Sequence, residues 1–592
     1  MSANGDAAAE VTDKMGNASL KNAEAAQRSR DAGWVEPVKY DYDTYNADGK
    51  EARDTLDPDA ELPTWAANAT KYEWKDEYGD VGPVSPELEA VLFGRETRVT
   101  EGKYREKLQE IPVTFESEAK IRPITKFQDA GLHPVMMTNI ELCGYQLPTP
   151  IQAYCLPSIL TGHDIIAVAQ TGSGKTAAFF IPILSQLMGK AKKLAAPRPF
   201  FIGNADFDPI RDGVRAEPLV LVIAPTRELA IQIFDEARRL CYRTMLRPCV
   251  VYGGAPTREQ LDDLRKGCDI LIGTPGRLID FIDRGHILSL GRVKFTIIDE
   301  ADEMVSADWV EDMRKILTGG DNNEDSDHIF MMFSATFPKD ARTLAKEYMA
   351  TDHIRIRVGR AGSTHVNVEQ NVVFVDEPQK RDALFDLLLS MPPSRTIIFV
   401  NNKKAADFLD DYLFNKGLPS TSIHSDRTQR EREDALRAFK SGKAPILVAT
   451  GVSARGLDVK NVMHVVNYDL PSTDHGGIQE YVHRIGRTAR IGNKGLATSF
   501  FNDKNEDIAE DLVRIFLEAK QPVPDFLEQW KPEDENDLNF NDDSDEEVPE
   551  EDATPGATDD AWGGGTSAAA AAPEATPATG DWEPQPESAM AW

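Results

Sequence analysis

The sequence predicts an α/β protein of two tandem domains, each built on a parallel sheet, set between disordered N- and C-terminal tails. Three observations carry that reading. Short apolar runs alternate with helix-like stretches between about residues 120 and 530, the pattern of strand, crossover and parallel strand. The alternation stops at a polar stretch around Val358–Glu369 and then starts again. Both ends of the 592-residue chain are acidic and poor in aliphatic residues, so they cannot bury enough apolar surface to offset their ordering entropy.

Most of the net charge of −32 lies in those ends. Residues 1–100 carry 21 acidic and 11 basic side chains, and residues 531–592 carry 18 acids against Lys531 alone, which leaves the middle near −5. The low overall pI therefore says little about what the middle binds. Residues 1–100 are expected to be a mostly disordered extension whose scattered aromatics, Trp34, Tyr40, Tyr42, Tyr45, Trp65, Tyr72 and Trp74, serve as short docking motifs. Residues 531–592 are an acidic run followed by an Ala/Gly/Pro-rich stretch bearing Trp562, Trp582 and Trp592, either a solubilising tail or a tail with apolar anchors. Cys143, Cys155, Cys241, Cys249 and Cys268 show no CxxC pair and no metal-ligand spacing, as expected of reduced core thiols. The start of the chain has neither a basic leader nor an apolar core, and no run of roughly 18 apolar residues occurs, so no secretory or membrane route is implied.

The candidate strands of the first half are Asp164 to Ala169, Leu219 to Ala224, Val250 to Tyr252, Ile270 to Ile272, Phe295 to Ile298 and Ile329 to Phe333. Those of the second half are Arg395 to Val400, Ser420 to Ile423, Pro445 to Ala449, His464 to Asn467 and Leu496 to Phe500. Each precedes a turn and a helix-like stretch. The first domain is read over residues 120–355, the linker over 356–368 and the second domain over 369–530.

The first of these strands runs into Gln170-Thr171-Gly172-Ser173-Gly174-Lys175-Thr176 and a helix. Glycines let backbone N–H groups close around phosphate, and the helix N-terminus favours the anion. Lys175 adds a point charge and Thr176 a hydroxyl suited to Mg²⁺. The run Phe295 to Ile298 stops on Asp299-Glu300-Ala301-Asp302, three carboxylates at the C-terminal rim of a sheet, where ligands of open α/β sheets sit. Alone this is an acidic turn. Beside a phosphate loop, Asp299 is placed to hold Mg²⁺ and Glu300 to polarise an attacking water.

Asp-Glu-Ala-Asp beside this loop resembles the DEAD-box ATP-dependent RNA helicases, through many motifs in one order. The resemblance implies two tandem RecA-like domains, ATP and Mg²⁺, and catalytic roles for Lys175, Asp299, Glu300, Arg487 and Arg490. Gly144 to Gln152 resembles the family's Q motif, with Gln152 on the adenine edge and Phe127 stacked on the ring; read alone, such a glutamine is more often a helix cap. Thr450 to Asp458 resembles motif V, which implies Gly456 and Asp458 near the nucleotide and Thr450 on RNA. His483 to Arg490 resembles motif VI, whose last two arginines reach the γ-phosphate. Thr226, Arg227, Gly254, Thr274, Arg277, Gln429 and Arg432 match the family's RNA-backbone motifs, hydroxyls and guanidinium groups suited to phosphate and 2′-OH and not to base edges. Asp302, Ser334, Thr336 and His483 are implied to couple the nucleotide side to the RNA side.

Ser85 to Glu89, Leu92-Phe93-Gly94 and Gly495 to Lys520 are similar to the Vasa and Ded1/Belle-type branch, here in a fungal-like variant with acidic tails. That similarity implies local, non-processive unwinding of messenger RNA in translation initiation, by a monomer in the cytoplasm that shuttles to the nucleus. Residues 531–592 contain no arginine, which favours protein partners, translation initiation factors among them, over RNA tethering by the tail. The alternatives are a nuclear remodeller in splicing or ribosome assembly, an ATP-locked RNA clamp, and a scaffold. Three departures stand out: Gly451 where Asp or Ala is common, Ala489 where Gly is usual, and a short insertion at Thr473 to Gly477 before Tyr481.

Overall fold

A computed structural model of the chain describes residues 21–37, 81–94, 111–190, 196–199, 208, 210–304, 309–318, 328–359, 367–454, 457, 459–473, 476–489 and 493–532. The first of its two sheets contains β1 (Val113–Glu116), β2 (Ile165–Ala169), β3 (Val220–Ile223), β4 (Pro248–Val251), β5 (Ile270–Gly273), β6 (Phe295–Asp299), β7 (Ile329–Ser334) and β8 (Ile354–Val358), in the order β1-β8-β2-β7-β6-β3-β5-β4. The second contains β9 (Val368–Phe374), β10 (Arg395–Val400), β11 (Ser420–Ile423), β12 (Ile446–Thr450), β13 (Val462–Asn467) and β14 (Gly495–Phe501), in the order β11-β12-β10-β13-β14-β9. All pairings in the second sheet are parallel.

The side-chain alternation of the strands explains the layering. In β2, Ile165, Ala167 and Ala169 join the core on one face while Ile166 and Val168 join the core on the other. In β10, Ile398 and Val400 face one core and Ile397 and Phe399 the opposite one. A strand buried on both faces reads as a continuous apolar run, which is why these strands were visible in the sequence. Asp164, just before β2, accepts from the backbone N–H groups of Phe330 and Ala350, each at 2.8 Å, and so ties the entry of β2 to its two neighbours.

Three strands escaped the sequence reading. β1 pairs antiparallel with β8, with Val113 opposite Val358, an exception to the all-parallel expectation. β8 reads Ile-Arg-Ile-Arg-Val, and the linker expected at 356–368 begins inside it; that boundary is corrected, since the first sheet runs to Val358 and the second begins at Val368. Within residues 1–100, residues 21–31 are helical and Pro86–Phe93 is a helix capped by Ser85. Leu88 and Leu92 pack against Tyr242 of the first domain, and Trp34 is buried against the second. The expected motifs at Trp65 and Trp74 and the tail tryptophans lie outside the described residues.

Candidate functional site

In a parallel sheet the strand ends share a rim, and β2, β3, β5, β6 and β7 each deliver a motif there. After β2 the loop turns through Gly172 and Gly174, both at positive φ, and Lys175 opens the helix Lys175–Met188 with Thr176 next. The buried Lys175 ammonium bends back to donate to Ala169 O at 2.8 Å. Burial pulls its pKa down, opposed by Asp299, Asp302 and Glu300. Ser173 Oγ is buried with no hydrogen-bond partner, a donor that a phosphate oxygen would satisfy.

Asp299 ends β6 and accepts from Glu300 N at 3.0 Å. Burial pushes it up to about 7, against the pull of Lys175. Glu300 holds a left-handed backbone, φ +53, a conformation that disfavours a side chain with a Cβ by about 1–2 kcal/mol. Such strain persists where the surroundings over-determine it and is frequent at active sites. Its Oε2 is buried without a partner, and burial raises its pKa while Arg487 and His483 hold it down. An unpaired buried carboxylate oxygen beside a phosphate loop is suited to orient a water.

The second domain supplies the opposite wall. Thr171 Oγ1 donates to Gly486 O at 3.2 Å, and a Cβ at Gly486 would collide with that hydroxyl. His483 lies 3.5 Å from both Asp302 and Glu303. Burial alone would lower the His483 pKa, but the two carboxylates outweigh it and leave the imidazole raised to about 10, hence charged at neutral pH. Burial alone would raise Asp302, yet His483, Ser334 and Thr336 hold it well below the usual carboxylate range. Thr336 Oγ1 and Thr336 N donate to Asp302 Oδ2 at 2.7 and 3.1 Å, and Asp302 N donates to Ser334 Oγ at 3.2 Å. Arg487 is buried, donating to His483 O at 3.0 Å and Leu457 O at 3.2 Å. Arg490, Gly456 and Asp458 lie outside the described residues.

The Q-motif residues sit differently from the expectation. Gln152 Oε1 accepts from Thr149 N at 3.0 Å and its Nε2 donates to Gly174 O at 3.1 Å. The glutamine thus caps its own helix, Pro150–Leu160, and braces the phosphate loop. Phe127 is 1% exposed in the core that also holds Met136 and Ile140. Buried in that core, its ring presents no free face to a base in this structure, unlike the stacking expectation.

Of the residues expected to touch RNA, Arg227, Gln429 and Arg432 make contacts across the domains, and the others are held within their own domain. Thr226 caps the helix Arg227–Leu240 by accepting from Leu229 N, and Thr274 stands at the N-cap of Pro275–Ile282 without a capping bond. Arg227 lies over Gly254 and donates to Gln429 Oε1 at 3.0 Å. Arg277 reaches Gln260 Oε1 and Ala255 O, and Thr450 donates to Ser453 Oγ at 3.1 Å. Arg432 pairs with the buried Glu228 at 2.7 Å, and Tyr252 Oη donates to Glu433 Oε1 at 3.5 Å. Sequence reasoning assigned no role to Glu228, Glu303 or Glu433. The signal available was Glu228 beside Arg227 in the same motif, but its partner is over two hundred positions away.

Residues 149–344 match the family model for DEAD/DEAH box helicases, and residues 379–492 match that for the helicase conserved C-terminal domain. Among solved structures, S. cerevisiae Dbp5 bound to RNA and ADP BeF3 is 28% identical, with 69% of this chain and 97% of that one covered and a TM-score of 0.56. Mss116p bound to ssRNA and AMP-PNP, lacking its NTE and C-tail, is 27% identical over 69% of this chain and 80% of that one, also at 0.56. A DEAD box protein from the hyperthermophile Methanococcus jannaschii is 34% identical over 68% of this chain and 99% of that one, at a TM-score of 0.39.

Proposed function

Because the chain belongs to the DEAD-box family of ATP-dependent RNA helicases, we propose that it separates short RNA duplexes locally, without travelling along them, by closing its two domains over ATP. The observation that carries this reading is the double seam between the domains. Thr171 with Gly486 and Asp302 with His483 join them at the phosphate loop, while Arg227 with Gln429 and Glu228 with Arg432 join them at the other motif set. One movement would make or break both seams, which couples nucleotide state to RNA grip.

In this mechanism Lys175 and the loop amides hold the phosphates, and Glu300 orients the attacking water. Arg487, brought in by the second domain, stabilises the charge that develops on the transferred phosphoryl group. The donor set fits a hard divalent cation: a buried carboxylate, Asp299, at the end of β6, and the hydroxyl of Thr176 in the first turn of the helix that follows the phosphate loop. Mg²⁺ held there would supply positive charge to the phosphate oxygens. Asp302 carries the state of this site to Thr336 and His483. Dbp5 and Mss116p each hold RNA together with a nucleotide analogue, which supports joint binding here.

Within the family we place the chain near the Vasa and Ded1/Belle-type branch, acting on messenger RNA in translation initiation as a cytoplasmic monomer that shuttles. Its similarity at Ser85 to Glu89 and Gly495 to Lys520 supports this, and the arginine-free tail supports protein partners. Crosslinking in cells and sequencing the bound RNA checks the substrate class. A strand-displacement assay checks the activity: Glu300→Gln is expected to lower ATP turnover by about 10²–10⁴ while retaining joint ATP and RNA binding. Turnover that ignores RNA, with no duplex displaced by the wild type, contradicts the reading.

A further inference from the structure

The second domain carries a peptide seated on the rim opposite the cleft. Residues 21–31 form a helix that Gly33, at φ +92, ends by turning Trp34 back against the protein. Trp34 is 5% exposed and shares a core with Ala25, Leu384, Phe385, Leu413 and Leu418. Gly33 lies beside Pro393, which precedes β10, and Leu418 precedes β11. The contact thus lies where β10 and β11 begin, whereas Thr450 stands where β12, the parallel neighbour of both, ends.

The seat is built for a close-packed helix. Gly417, at φ +79, faces Ala26, and a Cβ there would come within 2.9 Å of Ala26 Cα. Ser29 Oγ donates to Lys416 O at 2.8 Å, satisfying a carbonyl at the end of the helix Lys403–Asn415. The Arg28 to Asp386 pair is exposed on both sides and adds little. The hold therefore rests on Trp34 and on the small-residue helix face.

Two features bear on how this contact is made. Trp34 Nε1 is buried with no acceptor, so the socket accepts the indole body but wastes its donor. Tyr412, packed against the same core, lies under Arg381, which also covers Phe408, a residue 55% exposed. We propose that this rim is a socket for a short helix ended by Gly-Trp and that residues 21–37 occupy it reversibly, in cis. Being part of the same chain, the segment meets the socket at an effective concentration on the order of a millimolar. An intrinsic Kd of about 10–100 μM would keep it seated yet leave it open to competition.

The experiment titrates a fluorescent peptide of residues 21–37 into full-length chains by anisotropy. Trp34→Ala, and separately Ala26→Leu, empty the socket in cis. Both variants are expected to bind the peptide at micromolar Kd and the wild type at least tenfold more weakly. Replacing Trp by Phe in the peptide should preserve the affinity, since no donor is then stranded; replacing it by Ala should weaken binding at least tenfold. Saturable binding to neither variant, or equal binding to variants and wild type, overturns the proposal. So does collapse of the second domain in both variants, seen as lost cooperative melting, because the segment would then be part of the fold.

Discussion

Ala489 shows how a single residue departs from a family pattern without breaking the site. Its backbone is left-handed, φ +57, and its methyl is buried. Glycine there would relieve about 1–2 kcal/mol of steric strain, but would lose about 0.8 kcal/mol of methyl burial and about 0.5–1 kcal/mol through unfolded-chain entropy. These nearly cancel, so Ala489→Gly is expected to change stability by less than about 0.5 kcal/mol, whereas Ala489→Val should destabilise by more than about 2 kcal/mol; urea midpoints check both. Gly451 has a steric reason, since a Cβ would collide with Glu480, which pairs with Arg484 at 3.0 Å. That collision was invisible in the sequence. The placement of Lys175 at a helix start and Asp299 at a strand end was legible because both sit beside unmistakable loop and strand signals, while the capping role of Gln152 was legible only as the bland alternative to reading a base.

At the scale of elements, strands buried on both faces announced themselves and half-covered ones did not. β8 looked like linker because Arg355 and Arg357 interrupt it. In the fold, Arg355 lies over the Phe337 ring and 3.6 Å from Glu116, opposite it on β1. Its partners come from distant sequence, so periodicity alone could not find it. The sheet also holds a pH liability. His464 on β13 is buried, within 2.8 Å of Thr498 Oγ1 on β14, and burial lowers its pKa to about 4. The unfolded chain protonates this group near 6.5, so the stability of the second domain is full above about pH 6.5 and is lost as pH falls towards 4. Denaturant titrations are expected to show about 2 kcal/mol less stability from this group at pH 5 than at pH 7.5, a difference that His464→Gln removes.

For the whole molecule, the essential arrangement is one ATP site divided between two domains that also share the RNA-side motifs. The division itself could be read from the sequence, since the second domain carries motif VI and no phosphate loop. The particular seams could not, because Glu228, Glu303 and Glu433 gain their meaning only when the domains meet. On the proposed mechanism, hydrolysis needs Arg487 of the second domain beside Glu300 of the first. The direct measurement is RNA-stimulated ATP turnover by Arg487→Ala with nucleotide affinity followed in parallel. Turnover is predicted to fall by at least about 10³, with ATP-analogue Kd changed by less than about threefold, a difference of roughly 0.7 kcal/mol. Turnover near the wild-type value would contradict the divided site.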